Sequence, residues 1–293
     1  MELGPYLLLA SLEGAVQAAV LALTAVGLSL VFGTMRVVNI AHGEFFMLGA
    51  VLAWWLTSQV GGDASIGFVL ALIIVPIVTG LLAAAIDWTI LKRLDYDPEA
   101  TIVATIGVLY IIQQVTLMTY GPDARPVPPP FNIRITLPWF GYSGYKLFVI
   151  GAAIVLLLGV WATVSKTRIG LILRATQLDS DIAQAFGIRV KRVYSIVFGV
   201  GAGLAAMAAV LIVPIQQAHY LMGGDPLLLS FIVVILGGLG SLRGTVVAAV
   251  LIGMSDGIIS VFFSPTLAKI LATLLVASVL VFRPQGLFGK RPV

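Results

Sequence analysis

The segment Asn39-Ile40-Ala41-His42-Gly43-Glu44-Phe45-Phe46-Met47 sets an amide, an imidazole and a carboxylate inside a run otherwise apolar enough to cross a bilayer. Ionisable groups at that depth are costly, and they mark solute paths, proton relays or helix anchors. Asn39 has the side chain of a helix N-cap, and His42, Gly43 and Glu44 would then occupy the first turns. At about 1.5 Å of rise per residue, a helix starting near the cytoplasmic boundary would carry Glu44 about 7 to 8 Å beyond Asn39. That depth suits a gate or an anchor more than a ligand at the membrane centre. Gly43, without a side chain, would let a neighbouring helix or a solute pass close by. The competing reading is that His42 and Glu44 serve freed backbone groups or Arg36.

A second interruption lies at Gly237-Gly238-Leu239-Gly240-Ser241-Leu242-Arg243-Gly244, four glycines in an otherwise apolar stretch. Broken helices of this kind line transport pathways, where exposed backbone meets water or solute, so Gly237, Gly238, Gly240 and Gly244 are candidate pathway residues. The segment is no phosphate loop, and no G-x-x-x-x-G-K-[ST] occurs anywhere in the chain. Each break, at 33–39 and at 237–244, follows an apolar segment directed inward and precedes one directed outward, which hints at an internal repeat. Elsewhere Gly199, Gly201, Gly203, Gly253 and Gly257 have the small-residue spacing that lets membrane helices touch.

These residues need a membrane-spanning frame. Of the 293 residues, 60% are hydrophobic and 10% charged, whereas soluble domains carry about 25% charge. So little polar surface could not clothe a soluble globule, and the long unbroken apolar runs are unlike the short alternating strands of a barrel. The composition predicts an all-α polytopic membrane protein forming a single transmembrane domain over residues 1–293. Candidate spans fall near 11–32, 38–57, 66–90, 101–119, 146–164, 193–213, 227–241, 245–262 and 266–282, giving about 8 to 10 crossings with broken helices among them. The start, Met1-Glu2-Leu3-Gly4-Pro5, lacks a basic signal-peptide region, so the first apolar segment is expected to be retained. With nine crossings, thirteen of the seventeen basic residues share one side. By the positive-inside rule that side is cytoplasmic, with the C-terminus there and the N-terminus outside. With no cysteine and only two histidines, thiol chemistry and a metal cluster are excluded. The chain shows no catalytic residues.

Two loops stand out. Residues 120–145, expected outside, hold six of the fourteen prolines and then Trp139, Phe140, Tyr142 and Tyr145. Proline stiffens such a segment, and the aromatic residues suit an interfacial belt or a docking surface. Residues 165–192, expected inside, contain Leu178, Ile182, Ala185 and Phe186 at helical spacing, with Asp179, Asp181 and Gln184 on the other face. Asp179 or Ser180 could cap this short amphipathic helix and Gly187 end it. A helix so short needs a surface to pack on, either the membrane or a partner.

Taken together, Asn39 to Phe45, the Ala175 to Phe198 stretch, the Gly237 to Gly244 break and the terminal Phe282-Arg283-Pro284-Gln285-Gly286-Leu287-Phe288-Gly289 resemble the LivH-type permease subunits of branched-chain amino-acid ABC importers. The resemblance covers nearly the whole chain. It implies an ABC importer permease fold in a bacterial inner membrane, a second LivM-like permease, two cytoplasmic ABC ATPases and a periplasmic substrate-binding protein. It implies no cofactor of the chain's own, since ATP would be bound by the partner subunits, and no nucleic acid. It also places the ATPase-coupling helix on Gln177 to Ile188, so that Asp179, Asp181, Ala183, Phe186 and Gly187 become coupling residues and docking is favoured over membrane adhesion. Relatives of that kind also move urea or short amides. A self-sufficient ion-coupled carrier is a separate reading, with Asp87 and Asp256 as its buried carboxylates. A membrane enzyme is a third.

Overall fold

The computed structural model describes residues 3–60, 64–282 and 286–288. Eleven α-helices follow one another: α1 (Leu3–Met35), α2 (His42–Gln59), α3 (Ala64–Thr89), α4 (Pro98–Tyr120), α5 (Gly144–Lys166), α6 (Arg168–Leu178), α7 (Ser180–Ala185), α8 (Val190–Ile212), α9 (Gly224–Gly237), α10 (Leu242–Phe262) and α11 (Pro265–Phe282). Six of them, α1, α3, α4, α5, α8 and α10, are long and apolar enough to cross a membrane. Each of the nine expected apolar segments falls on a helix, although 38–41 of the second and 238–241 of the seventh are not helical. The expectations on Arg283, Lys290 and Arg291, and on the flanks of the terminal motif, lie outside the described residues.

α1 and α8 form the buried centre of the bundle and cross antiparallel where Gly27 meets Gly201. Without a hydrophobic drive between helices in lipid, close backbone approach and dispersion hold them together. A Cβ on Gly253 would strike the Ala18 backbone and one on Gly257 the Gly14 backbone, which fixes α10 against α1. Gly199 faces Gly80 and Gly203 faces Pro76, which fixes α3 against α8 in the same way. Phe45 of α2 meets Phe198 of α8 edge-to-face, ring centroids 5.9 Å apart.

The two inner helices each lead through irregular chain into a short helix that starts inside the bundle. From Met35 the chain turns at Arg36 (φ 55°), runs non-helically to Ala41 and begins α2 at His42. From Ile212 it runs through 213–223 and begins α9 at Gly224. Gly43 and Gly223 touch backbone to backbone, so the N-termini of α2 and α9 meet head to head. With α3 and α10 packed on α8 and α1 respectively, the contacts among α1-α2-α3 and α8-α9-α10 are reciprocal, the pattern of an inverted repeat. This corrects the repeat read from sequence. The breaks at 33–39 and 237–244 are not equivalent partners; they are neighbours, Gly33 lying against Gly240. The equivalents are 36–41 and 213–223, whose sequences share nothing obvious.

The proline-rich segment after α4 is partly ordered by structure the sequence did not reveal. β1 (Arg134–Thr136) and β2 (Gly141–Ser143) pair antiparallel with Ile135 opposite Tyr142. Arg125 bridges Ala218 through backbone hydrogen bonds and lies over the rings of Trp54 and Tyr120, 4.3 and 4.5 Å from their centroids. Tyr142 and Tyr145 are buried, and the Tyr145 hydroxyl donates to the Leu211 carbonyl at 2.7 Å. They hold the hairpin on the bundle instead of forming an interfacial belt; only Trp139 of the group is strongly exposed.

Candidate functional site

Asn39, His42, Gly43 and Glu44 converge at the α2–α9 junction, deeper than the sequence suggested. α2 starts two residues later than its expected N-cap implies, with Ala41 in the cap position and no side-chain cap. Asn39 instead folds back, its Oδ1 accepting from the Ala41 N–H at 3.0 Å, while Thr105 of α4 accepts from the Ile40 N–H at 3.2 Å. His42 is fully buried, and its Nε2 lies 3.0 Å from the Thr24 carbonyl in α1. A carbonyl only accepts, so Nε2 carries the proton. Gly27, beside the His42 ring, meets Gly201, the midpoint of α8 and about 16 Å from either of its ends. His42 and Glu44 therefore sit near mid-bundle. The expected boundary position fails because the chain climbs into the bundle without helical structure from Arg36, through a turn at 40–41, before α2 begins at His42. Glu44 is 3% exposed and its Oε2 has no hydrogen-bond partner.

On the far side of this junction lies a cavity of about 620 Å³, opening at the end of the bundle away from most of the basic side chains. The first half of α1, the last turns of α10, the start of α11 and residues 216–226 enclose it, and Thr24, Phe46 and Met222 form its inner end beside His42. Its polar wall includes Glu13, Gln17, His219, Asp225, Asp256 and Lys269. Lys269 of α11 pairs with Asp225 in the first turn of α9, and Lys146 of α5 pairs with Glu13 of α1 at 2.6 Å. Asp256 makes no hydrogen bond or ion pair among the described residues. Sequence reading had singled out Asp256 alone among these residues; they come from five segments, and no spacing rule joins them. The Gly223-Gly224-Asp225 start of α9 was the one available local sign.

The second glycine break has a different geometry. Gly238 (φ 98°) and Gly240 (φ 78°) take left-handed conformations that side chains resist, and the Ser241 hydroxyl caps α10 by accepting from the Gly244 N–H at 3.2 Å. Gly237 and Gly244 press backbone to backbone. Residues of the terminal motif close over them: the Leu287 N–H donates to the Leu236 carbonyl at 2.7 Å and the Phe288 N–H to that of Gly237 at 3.2 Å. The carbonyls freed at the end of α9 are thereby satisfied.

On the basic face, Asp179 Oδ1 accepts from the N–H groups of Asp181 and Ile182, both at 2.9 Å, and caps α7. Gly187 ends it with φ 84°. The amphipathic helix is shorter than expected, because Leu178 belongs to α6, which sequence reading left within the loop. Its apolar face is not packed on this chain: Phe186 is 84% exposed and Leu178 75%, and only Ala183 is buried. Asp181 is exposed. Nearby, Lys191 at the start of α8 bonds Asp95 at 2.6 Å and holds that carboxyl below its ordinary range. Ser195 and the Tyr96 hydroxyl donate to the buried Asp87, and burial and that carboxylate raise the Tyr96 hydroxyl above its usual range. Asp87 thus ties α3 to α8. Among the described residues no group of three or more His, Asp or Glu could hold a metal.

Long apolar helices, two half-helices meeting head to head and a polar cavity ending at their junction define a multi-pass membrane permease. The chain belongs to the family of branched-chain amino acid transport system permease components, whose profile matches residues 10–280. It is 25% identical to the high-affinity branched-chain amino acid transport system permease protein LivH of Salmonella typhimurium, across 98% of this chain and 97% of that one. It is 26% identical to the corresponding protein BraD of Pseudomonas aeruginosa, across 93% and 92%. A galactofuranose transporter permease, YtfT of Escherichia coli, is 27% identical across 92% of this chain and 78% of its own. The chain is a transport subunit and not itself an enzyme.

Proposed function

We propose that this chain is one of two transmembrane subunits of an ATP-driven importer in the inner membrane, carrying branched-chain or other small neutral amino acids. The observation that carries the proposal is the polar cavity on the side opposite the basic face, whose lining reaches Phe46 of α2 and Gly224 of α9 at their junction. With the basic face cytoplasmic by the positive-inside rule, the N-terminus is external, the cavity faces the periplasm and a binding protein delivers solute there. Two ATPases dock below, where the exposed Leu178, Ile182 and Phe186 form an unoccupied apolar edge on a capped, stiff knob. A LivM-like permease completes the membrane unit. Asn39, His42, Gly43 and Glu44 act as the gate at the end of the cavity. Gly237, Gly238, Gly240 and Gly244, packed against one another and against Gly33, serve as a hinge at the inner boundary. Asp179, Asp181, Ala183, Phe186 and Gly187 form the coupling element, which must be rigid to turn ATPase closure into helix movement.

Reconstitution with the cognate ATPases, second permease and binding protein tests this. Leucine uptake requiring both ATP and the binding protein is the expected result. Uptake by this chain alone, driven by an ion gradient, would overturn it in favour of a secondary carrier; ATP-driven uptake of urea or a sugar with none of any amino acid would overturn the substrate class alone.

A further inference from the structure

The charges of the cavity do not balance. Glu13 is answered by Lys146 and Asp225 by Lys269, while Asp256 is left without a hydrogen bond or ion pair among the described residues. Both members of the Asp225–Lys269 pair are near enough to act on Asp256 electrostatically. A carboxylate in a span of apolar residues is tolerated where it faces water or a cation, and Asp256, half-buried, faces the cavity, so a solute that displaces the water there must answer its charge. An uncharged sugar or amide would leave it unmet, and a simple carboxylate would be repelled. Beside it stands a donor for the opposite charge: Lys269, bonded once to Asp225, has two further N–H groups. Val20, Leu21, Phe46, Met222 and Leu229 form an apolar part of the same wall.

We propose that Asp256 is the ammonium-recognising residue of a zwitterionic amino-acid site in this cavity, with Lys269 receiving the carboxylate and the apolar part of the wall the aliphatic side chain. The proposal rests on the amino-acid importer reading and adds a site within the permease itself. It makes the permease a second selector after the binding protein, passing zwitterions and refusing neutral solutes of similar size.

The chain has no cysteine, so Ser260→Cys, in the cavity wall, places one reporter in the assembled transporter, its labelling by a small maleimide read on this chain by mass spectrometry. L-leucine at ten times its Kd slows labelling about tenfold by mass action, whereas isocaproate, which lacks the ammonium, and isopentylamine, which lacks the carboxylate, do so far less. In the Asp256→Asn background the leucine concentration needed rises about 10- to 100-fold, as loss of a charged hydrogen bond entails, and Asp256→Glu restores part of the protection. Equal protection by isocaproate or by sodium ions, or full leucine protection in Asp256→Asn, overturns the site; so does absence of protection by any amino acid. Leucine uptake measured on the same preparation separates the two proposals. Uptake without protection sinks only the site, and absence of amino-acid uptake sinks the transport reading.

Discussion

At the residue scale, the head-to-head contact of Gly43 with Gly223 decides what occupies the space beside Gly43: another helix N-terminus, not open passage. Gly43→Leu must therefore push α2 and α9 apart, at a cost of about 1–3 kcal/mol for overpacking, and should abolish transport while lowering the melting temperature of the assembled complex. Wild-type thermal stability with blocked transport would instead mean the side chain enters a solute path. Glu44 is different because its Oε2 has no partner. Glu44→Gln keeps shape and removes charge, so the complex should assemble and transport slow several-fold at saturating substrate. Unchanged import across a range of substrate concentrations would reduce Glu44 to scaffolding. His42→Ala removes the tie to Thr24 and leaves a cavity in a fully buried place, so it should destabilise by about 2 kcal/mol or more, read as a lower unfolding midpoint in detergent.

At the element scale, α7 is a helix of six residues held by its ends. A helix that short has no stability of its own; the Asp179 cap, the Gly187 turn and the buried Ala183 supply it. Gly187→Val forces a β-branched residue to positive φ, at about 1–2 kcal/mol, and Ala183→Glu drives a charge into a closed space. Both should weaken ATPase co-purification while the membrane bundle stays folded. Phe186→Ser is the cleaner probe, because the ring is exposed and touches little of this chain. It should leave the stability of the isolated subunit unchanged and lower ATPase affinity about tenfold or more, the loss typical of a buried aromatic anchor. Normal assembly and full transport in Ala183→Glu and Phe186→Ser would return α7 to the role of a membrane-surface helix.

At the whole-molecule scale, the inverted repeat requires α1 and α8 to run in opposite directions, and one measured orientation then fixes every helix. Asp123 and Arg134 lie at one end of the bundle, Arg168 and Arg189 at the other, all exposed. In intact cells a membrane-impermeant thiol reagent should label Asp123→Cys and Arg134→Cys, and reach Arg168→Cys and Arg189→Cys only after permeabilisation. External labelling of Arg189→Cys would invert the topology and, with it, the direction in which the cavity faces.

Much of this was legible in the residues. Composition and run length determined a polytopic helical bundle, since backbone groups in lipid must be satisfied within each segment. The small residues at Gly199, Gly201, Gly203, Gly253 and Gly257 marked the helix contacts, and Asp179 and Gly187 marked the ends of α7, because capping and positive φ are local demands that a few neighbouring residues state by themselves. The tertiary structure alone decided depth and convergence. Nothing local in residues 36–41 announces that they are non-helical; contacts with other helices, Thr105 of α4 on the Ile40 N–H and Thr24 of α1 on His42, go with that path and with the depth of His42. The cavity that gathers Glu13, Asp225, Asp256 and Lys269 joins α1, near the start of the chain, to α9, α10 and α11, near its end, so its charge balance exists only once they pack. The repeat was hidden for the same reason: its halves are alike in how their helices meet, and many sequences satisfy one packing geometry.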